Sequence, residues 1–154
     1  AILEKCKKIY GIKLDLPLTD LGNWREVWKF FKKTKSKSYI EKNTYYRPWG
    51  KYINLFYGKD FLLKELVIRP KSSLSLQKHI HRSERWTIIS GRPKITINKK
   101  ILIKKPNESI FIPKKTVHRI ENIYNESVRI AEVQMGTILK ESDIIRYKDL
   151  YDRI

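Results

Sequence analysis

One cysteine, Cys6, stands in 154 residues. That excludes an internal disulfide framework and cysteine-based zinc fingers. No apolar run approaches the ~18 residues that a membrane-spanning helix needs. The opening Ala1-Ile2-Leu3-Glu4-Lys5 carries charge at once and develops no apolar stretch, so it does not read as a signal peptide. The first residue is not Met, as expected of a fragment or a processed chain. Acidic residues are scarce, 16 against 34 Lys and Arg, for a formal charge of +18. The length suits one compact domain, and 41% apolar and 12% aromatic content argue against disorder. The expectation is a soluble, cytoplasmic protein with a single core.

A basic excess of this size raises the question of nucleic acid, because polycations release counterions from phosphate backbones. The distribution argues otherwise. Lys outnumbers Arg 24 to 10, and Ile alone supplies 22 residues, a bias spread over the whole chain. Residues 1–43 hold 11 basic and 5 acidic groups, and residues 44–154 hold 23 and 11. No dedicated basic arm exists, so a nucleic-acid binder ranks last among the readings. A positive surface still concentrates anionic small molecules such as phosphates.

Two regimes follow along the chain. In residues 1–43, Trp24, Val27, Trp28 and Phe31 recur at helical spacing and predict a short amphipathic helix. Asp20 or Asn23 is placed to cap it, and Lys32–Lys37 follows its end. Residues 36–47 are polar and read as a connector. From Tyr45 onward, short apolar and β-branched stretches alternate with turn-formers: 52–57, 61–68, 86–89, 95–97, 101–103, 110–112, 117–120 and 128–133. Many short strands at near-regular spacing predict a sandwich or barrel rather than βαβ units. The end, 142–151, reads as a helical turn closing one edge.

All three histidines, His79, His81 and His118, fall in the strand-rich region. Positions i and i+2 of a strand share a face, so Gln77 and His79 point together, and His81 follows if the strand continues. Glu84 comes after a turn, and His118 lies on a later strand. The spacing is Gln77-x-His79-x4-Glu84-x6-Gly91, then Pro113-x-Lys115-x2-His118-x3-Asn122.

These two motifs resemble those of the cupin superfamily. The likeness is tighter to the cupin domain of type II phosphomannose isomerases, which is usually fused behind a mannose-1-phosphate guanylyltransferase. The carrying segments include 47–50, 74–79, 81–86, 117–122, 132–136 and 143–146. The resemblance implies an all-β fold, the cupin double-stranded β-helix or jelly-roll barrel, over residues 44–154. Residues 1–43 read as a short helical N-terminal extension. Its Asp20-Leu21-Gly22-Asn23-Trp24 is similar to the tail of the guanylyltransferase domain, whose Gly-rich nucleotide loop is absent.

The same resemblance implies a metal-dependent isomerase that interconverts mannose 6-phosphate and fructose 6-phosphate, feeding GDP-mannose and polysaccharide synthesis. Its metal ligands would be Gln77, His79, Glu84 and His118, and the ion zinc, manganese, cobalt or iron. Arg82, Arg146 and Lys64 would contact the sugar phosphate substrate. Arg146, His81 and Glu132 are the candidates for catalysis, His81 as a supporting or acid/base group. Trp86 reads as core, and 47–50 as shaping the domain entry. Edge strands and the aromatic N-terminal face predict a homodimer or a separate guanylyltransferase domain as partner. The alternative is a non-catalytic remnant or accessory domain of a bifunctional guanylyltransferase.

Three departures from the family pattern stand out. Gln77 replaces a usual His. Arg85 replaces the His after Glu84 and is expected to add positive charge near the cation site. Lys115 replaces a turn Gly and is expected to be strained if the turn is kept.

Overall fold

The computed structural model describes residues 37–151. The predicted aromatic helix, Asp20 and Cys6 lie outside those residues. Buried and less buried side chains alternate cleanly along 76–79 and 118–121, the pattern of a sheet with one buried face.

A short helix, α1 (Lys37–Lys42), leads into β1 (Thr44–Arg47), β2 (Gly50–Tyr57) and β3 (Phe61–Ile68). Then come β4 (Leu76–His79), β5 (Arg82–Ser90), β6 (Lys94–Ile97), β7 (Lys100–Ile103) and β8 (Ser109–Ile112). The chain finishes with β9 (His118–Glu121), β10 (Val128–Gly136), a 3-10 turn (Glu141–Asp143) and β11 (Ile144–Lys148). Six strands form one sheet in the order β1-β2-β3-β10-β5-β8, and five form the other in the order β11-β4-β9-β6-β7. All pairings are antiparallel. The expected all-β cupin architecture is present.

The main core lies between the sheets. Leu66, Ile68, Trp86, Ile88 and Ile130 of the larger sheet meet Ile95 and Ile120 of the smaller one. Each side chain so buried contributes roughly 1.5–3 kcal/mol. A second cluster of Ile53, Leu55 and Leu63 packs on the other face of the larger sheet, where Ile40 of α1 covers it.

Two segments differ from expectation. The supposed connector 36–47 holds α1 and β1, because Ile40 has an apolar cluster to cover and Tyr39 donates its hydroxyl hydrogen to the Leu55 carbonyl at 3.4 Å. The supposed terminal helical turn is confined to Glu141–Asp143. Beyond it, β11 completes the smaller sheet by pairing with β4, Ile144 opposite His79 and Arg146 opposite Gln77. No helix among the described residues is long and apolar enough to cross a membrane.

The Lys115 turn is kept. Lys115 has φ of +63° and is exposed, and its N–H donates to the His79 carbonyl at 2.6 Å. A left-handed conformation costs a non-glycine residue about 1 kcal/mol or more. Lys115→Gly is therefore expected to stabilise the protein by about 0.5–1 kcal/mol, less than the full strain because glycine also loosens the unfolded chain. A raised denaturant midpoint at unchanged slope checks this.

Candidate metal centre and cleft

Strand parity builds the centre. On β4, Gln77 and His79 are buried while Lys78 is not; on β5, Arg82, Glu84, Trp86 and Ile88 face in; on β10, Ile130, Glu132 and Gln134 do. His79, Glu84 and His118 converge, with one ligand atom from each within 4.8 Å of the others. His79 Nε2 lies 3.0 Å from Glu84 Oε1, and His118 Nε2 lies 3.7 Å from Glu84 Oε2. The two imidazole rings are 4.9 Å apart.

The protonation pattern suits a cation. His118 Nδ1 lies 2.8 Å from the Thr116 carbonyl, which requires the proton on Nδ1 and leaves the Nε2 lone pair facing Glu84. That Nε2 is buried and has no hydrogen-bond partner. Burial lowers the His118 pKa, favouring the neutral ring that a metal ligand must be. Burial alone would raise the Glu84 carboxyl. The hydrogen bond and charge of His79, with the Arg82 guanidinium, overcome that and hold it well below the usual carboxylate range. An orphaned buried nitrogen beside an ionised carboxylate and a second imidazole fits a divalent ion. Gln77, opposite His118 in the sheet, lines the adjoining cleft, and its Oε1 accepts from Ser75 Oγ at 2.8 Å.

Behind the centre runs a polar ladder. Trp86 Nε1 donates to Glu84 Oε2 and to Glu132 Oε1, both at 3.1 Å. Gln134 Nε2 donates to Glu84 Oε1 and Glu132 Oε2, both at 3.2 Å. Burial, then the nearby Glu84 charge, pushes the Glu132 carboxyl up to about 8. Two close carboxyls thus divide into one charged and one protonated near neutrality.

Arg82 is buried and committed to the protein. Its Nε lies 3.2 Å from Glu84 Oε1, Nη1 donates to the Lys140 carbonyl at 2.9 Å, and Nη2 lies 3.5 Å from His79 Nε2. His81 does not join the centre. β4 ends at His79, and the His81 ring turns outward to Asp143, Nδ1 to Oδ1 at 2.8 Å. Asp143 also accepts from the backbone N–H groups of Ile80 and His81. The expectation for Arg85 is corrected as well. It sits one residue from Glu84 in β5, so it faces outward, exposed and over the Phe111 ring at 5.4 Å.

Glu84 and Arg82 also line a cleft of about 60 Å³ that takes in Glu132, Gln77, Lys64 and Arg146. Arg146 is half-buried, with Nε shielded and unpartnered. Lys64, 9% exposed, holds its ammonium 4.7 Å over the Tyr52 ring. At the rim, Glu141 Oε1 accepts from Arg47 Nη2 and from the Tyr52 hydroxyl, both at 2.8 Å.

Sequence reasoning missed Gln134, Asp143, Glu141 and the polar duties of Trp86, and underrated Arg47. Gln134 carried a readable signal: it continues the inward parity of Ile130 and Glu132. Glu141 carried none, since its partners lie 89 and 94 residues away.

The family model described as mannose-6-phosphate isomerase C-terminal matches residues 34–149. A mannose-1-phosphate guanylyltransferase of Salmonella montevideo is 37% identical over 132 residues, 84% of this chain and 28% of the relative. The alginate biosynthesis protein AlgA of Pseudomonas putida is 38% identical over 79% of this chain and 24% of its own length. The chain thus spans about a quarter of the length of the curated relatives it matches. The solved cupin domain of Schizosaccharomyces pombe Cnp3 superposes with a TM-score of 0.53 at 20% identity, over 56% of this chain and 64% of that one. That likeness shows the fold alone. The relatives correct the functional expectation. They carry the names of a guanylyltransferase and a polysaccharide biosynthesis protein, so a guanylyltransferase-related cupin domain fits better than a free-standing mannose-6-phosphate isomerase.

Proposed function

Given that the chain belongs to the mannose-6-phosphate isomerase C-terminal family, found here as a segment of longer guanylyltransferase-type enzymes, we propose that it is their accessory cupin domain, holding one divalent ion and binding a sugar phosphate. The observation that carries this reading is the unpartnered Nε2 of His118, aimed at Glu84 beside His79. Two imidazoles and a carboxylate would hold zinc, manganese, cobalt or iron, with Gln77 the candidate for a fourth ligand. Bound there, the ion would supply Lewis-acid polarisation of ligand oxygens.

The chain's own residues divide the remaining work. Trp86 and Gln134 fix both oxygens of Glu84, so its carboxylate is oriented before anything binds. Lys64 and Arg146 present cations to an anionic ligand in the cleft. A separate or fused transferase domain would be the partner, with residues 1–43 as the join.

The test is metal analysis and calorimetry on the full chain. One equivalent of divalent metal, binding of mannose 1-phosphate, and no turnover of mannose phosphates are expected. Chelator treatment should remove the metal, and His118→Ala should prevent its return while the β fold persists. Absence of metal and of sugar phosphate binding overturns the reading; so does turnover by the isolated chain.

A further inference from the structure

Four cations line the cleft: Arg47, Lys64, Arg82 and Arg146. Arg82 is spent on Glu84 and the Lys140 carbonyl. Arg47 alone is held by a carboxylate that is itself exposed. Glu141 Oε1 accepts from Arg47 Nη2 and from the Tyr52 hydroxyl at 2.8 Å each, with a side chain 46% exposed. Lys64 lies on the ring of that same Tyr52, with no carboxylate among the described residues within ion-pair distance. A guanidinium and a phenol hydroxyl therefore hold one carboxylate oxygen, with an ammonium over the ring of that phenol, a donor set that a phosphate would use.

The volume points the same way. The cleft of about 60 Å³ is well under the roughly 300 Å³ at which small-molecule sites begin. A sugar phosphate gains room in the cleft when something at the rim withdraws. Most lining groups are buried on strands of the two sheets. Glu141 is not: it stands on a three-residue 3-10 turn with its side chain half in solvent.

We propose that Glu141 is an internal stand-in for a phosphate monoester, occupying an anion subsite made by Arg47, Tyr52 and Lys64 and yielding it when the ligand's phosphate arrives. The site places the phosphate at the rim and the rest of the ligand towards Glu84, deepening the sugar phosphate reading on which it rests. Arg47, taken from sequence as an entry-shaping residue, becomes a binding residue. Glu141 sets the affinity by competition, since the ligand must first displace it.

Calorimetric titration of the full, folded chain with inorganic phosphate, and separately with mannose 1-phosphate, tests this. Glu141→Gln keeps a hydrogen-bonding side chain but removes the competing charge, and is expected to tighten phosphate binding about three- to fivefold. Arg47→Ala is expected to weaken it. Glu126→Gln, the same charge change at an exposed position outside the cleft, should leave it unchanged. Glu141→Asp, shorter but still charged, should also tighten binding and covers the case in which the Gln variant does not fold. A gain with both ligands supports a subsite for the sugar's phosphate; a gain with inorganic phosphate alone supports free phosphate as occupant. No gain at Glu141, or an equal gain at Glu126, overturns the proposal. Metal content and mannose 1-phosphate binding of the unaltered chain test the parent reading separately.

Discussion

Glu84→Ala is expected to abolish metal retention and to cost about 3–5 kcal/mol of stability, the range for breaking a buried charge pair from one side. Both effects have one origin. Glu84 is 2% exposed and serves His79, His118, Arg82, Trp86 and Gln134 at once. Its loss leaves the Arg82 guanidinium buried without its carboxylate and the Trp86 and Gln134 donors underused. Removing a ligand should lower metal affinity by at least roughly 100-fold, the upper end of what losing a merely supporting group costs. Glu132→Gln makes the contrast. With its carboxyl pushed up to about 8, Glu132 is already largely protonated at neutral pH, so an amide of the same shape removes little charge. It leaves one of the Trp86 and Gln134 donors without an acceptor and should cost only about 1–2 kcal/mol. Denaturant unfolding and elemental analysis of the two variants decide it. An alanine variant as stable as the parent would show that Arg82 and Glu84 do not form a stabilising unit.

The contrast between these two carboxylates marks what a sequence can disclose. Both were singled out, Glu84 by its spacing from His79 and Glu132 by its place on a late strand. Nothing in the string of residues says that one carries charge and the other a proton, because that follows from burying both side by side with His79 hydrogen-bonded to Glu84 alone. Most strands were legible, since alternation such as Lys94-Ile95-Thr96-Ile97 follows from a sheet with one wet face. β11 was not: Ile144 and Ile145 are adjacent, and its strand character comes from pairing with β4, 65 residues earlier at Ile144 opposite His79. The error over Arg85 was avoidable, because a residue next to an inward Glu84 must face outward. Arg47 was unreadable for a different reason. Its meaning depends on Glu141, brought to it by closure of the whole barrel.

Asp143→Ala is expected to cost about 3 kcal/mol and to loosen the centre without removing any ligand. The carboxylate receives the N–H groups of Ile80 and His81 and the His81 ring, with Arg82 Nη1 3.5 Å away. Hydrogen bonds to a charged group are worth about 1.5–3 kcal/mol, and here several donors would be orphaned together. The turn that joins β4 to β5 carries His79 into Glu84, and the Asp143 main-chain carbonyl lies 3.4 Å from His79 Nδ1. Metal affinity should therefore fall about tenfold with all three ligands intact. Acid sensitivity gives the second measurement. Burial favours the protonated acid, but the His81 contact, the backbone donors and Arg82 outweigh it and hold the carboxyl below its usual value. As pH falls, the unfolded chain takes up this proton before the folded one does, so stability declines from the ordinary carboxylate range downward through the lower folded value. Above that range the contribution is complete and flat. Asp143→Asn should be less stable at neutral pH and lose less on acidification, so the two denaturation profiles converge towards low pH. Parallel profiles would mean that the carboxylate's charge does not hold the turn, and that the backbone carries His79 into place without it.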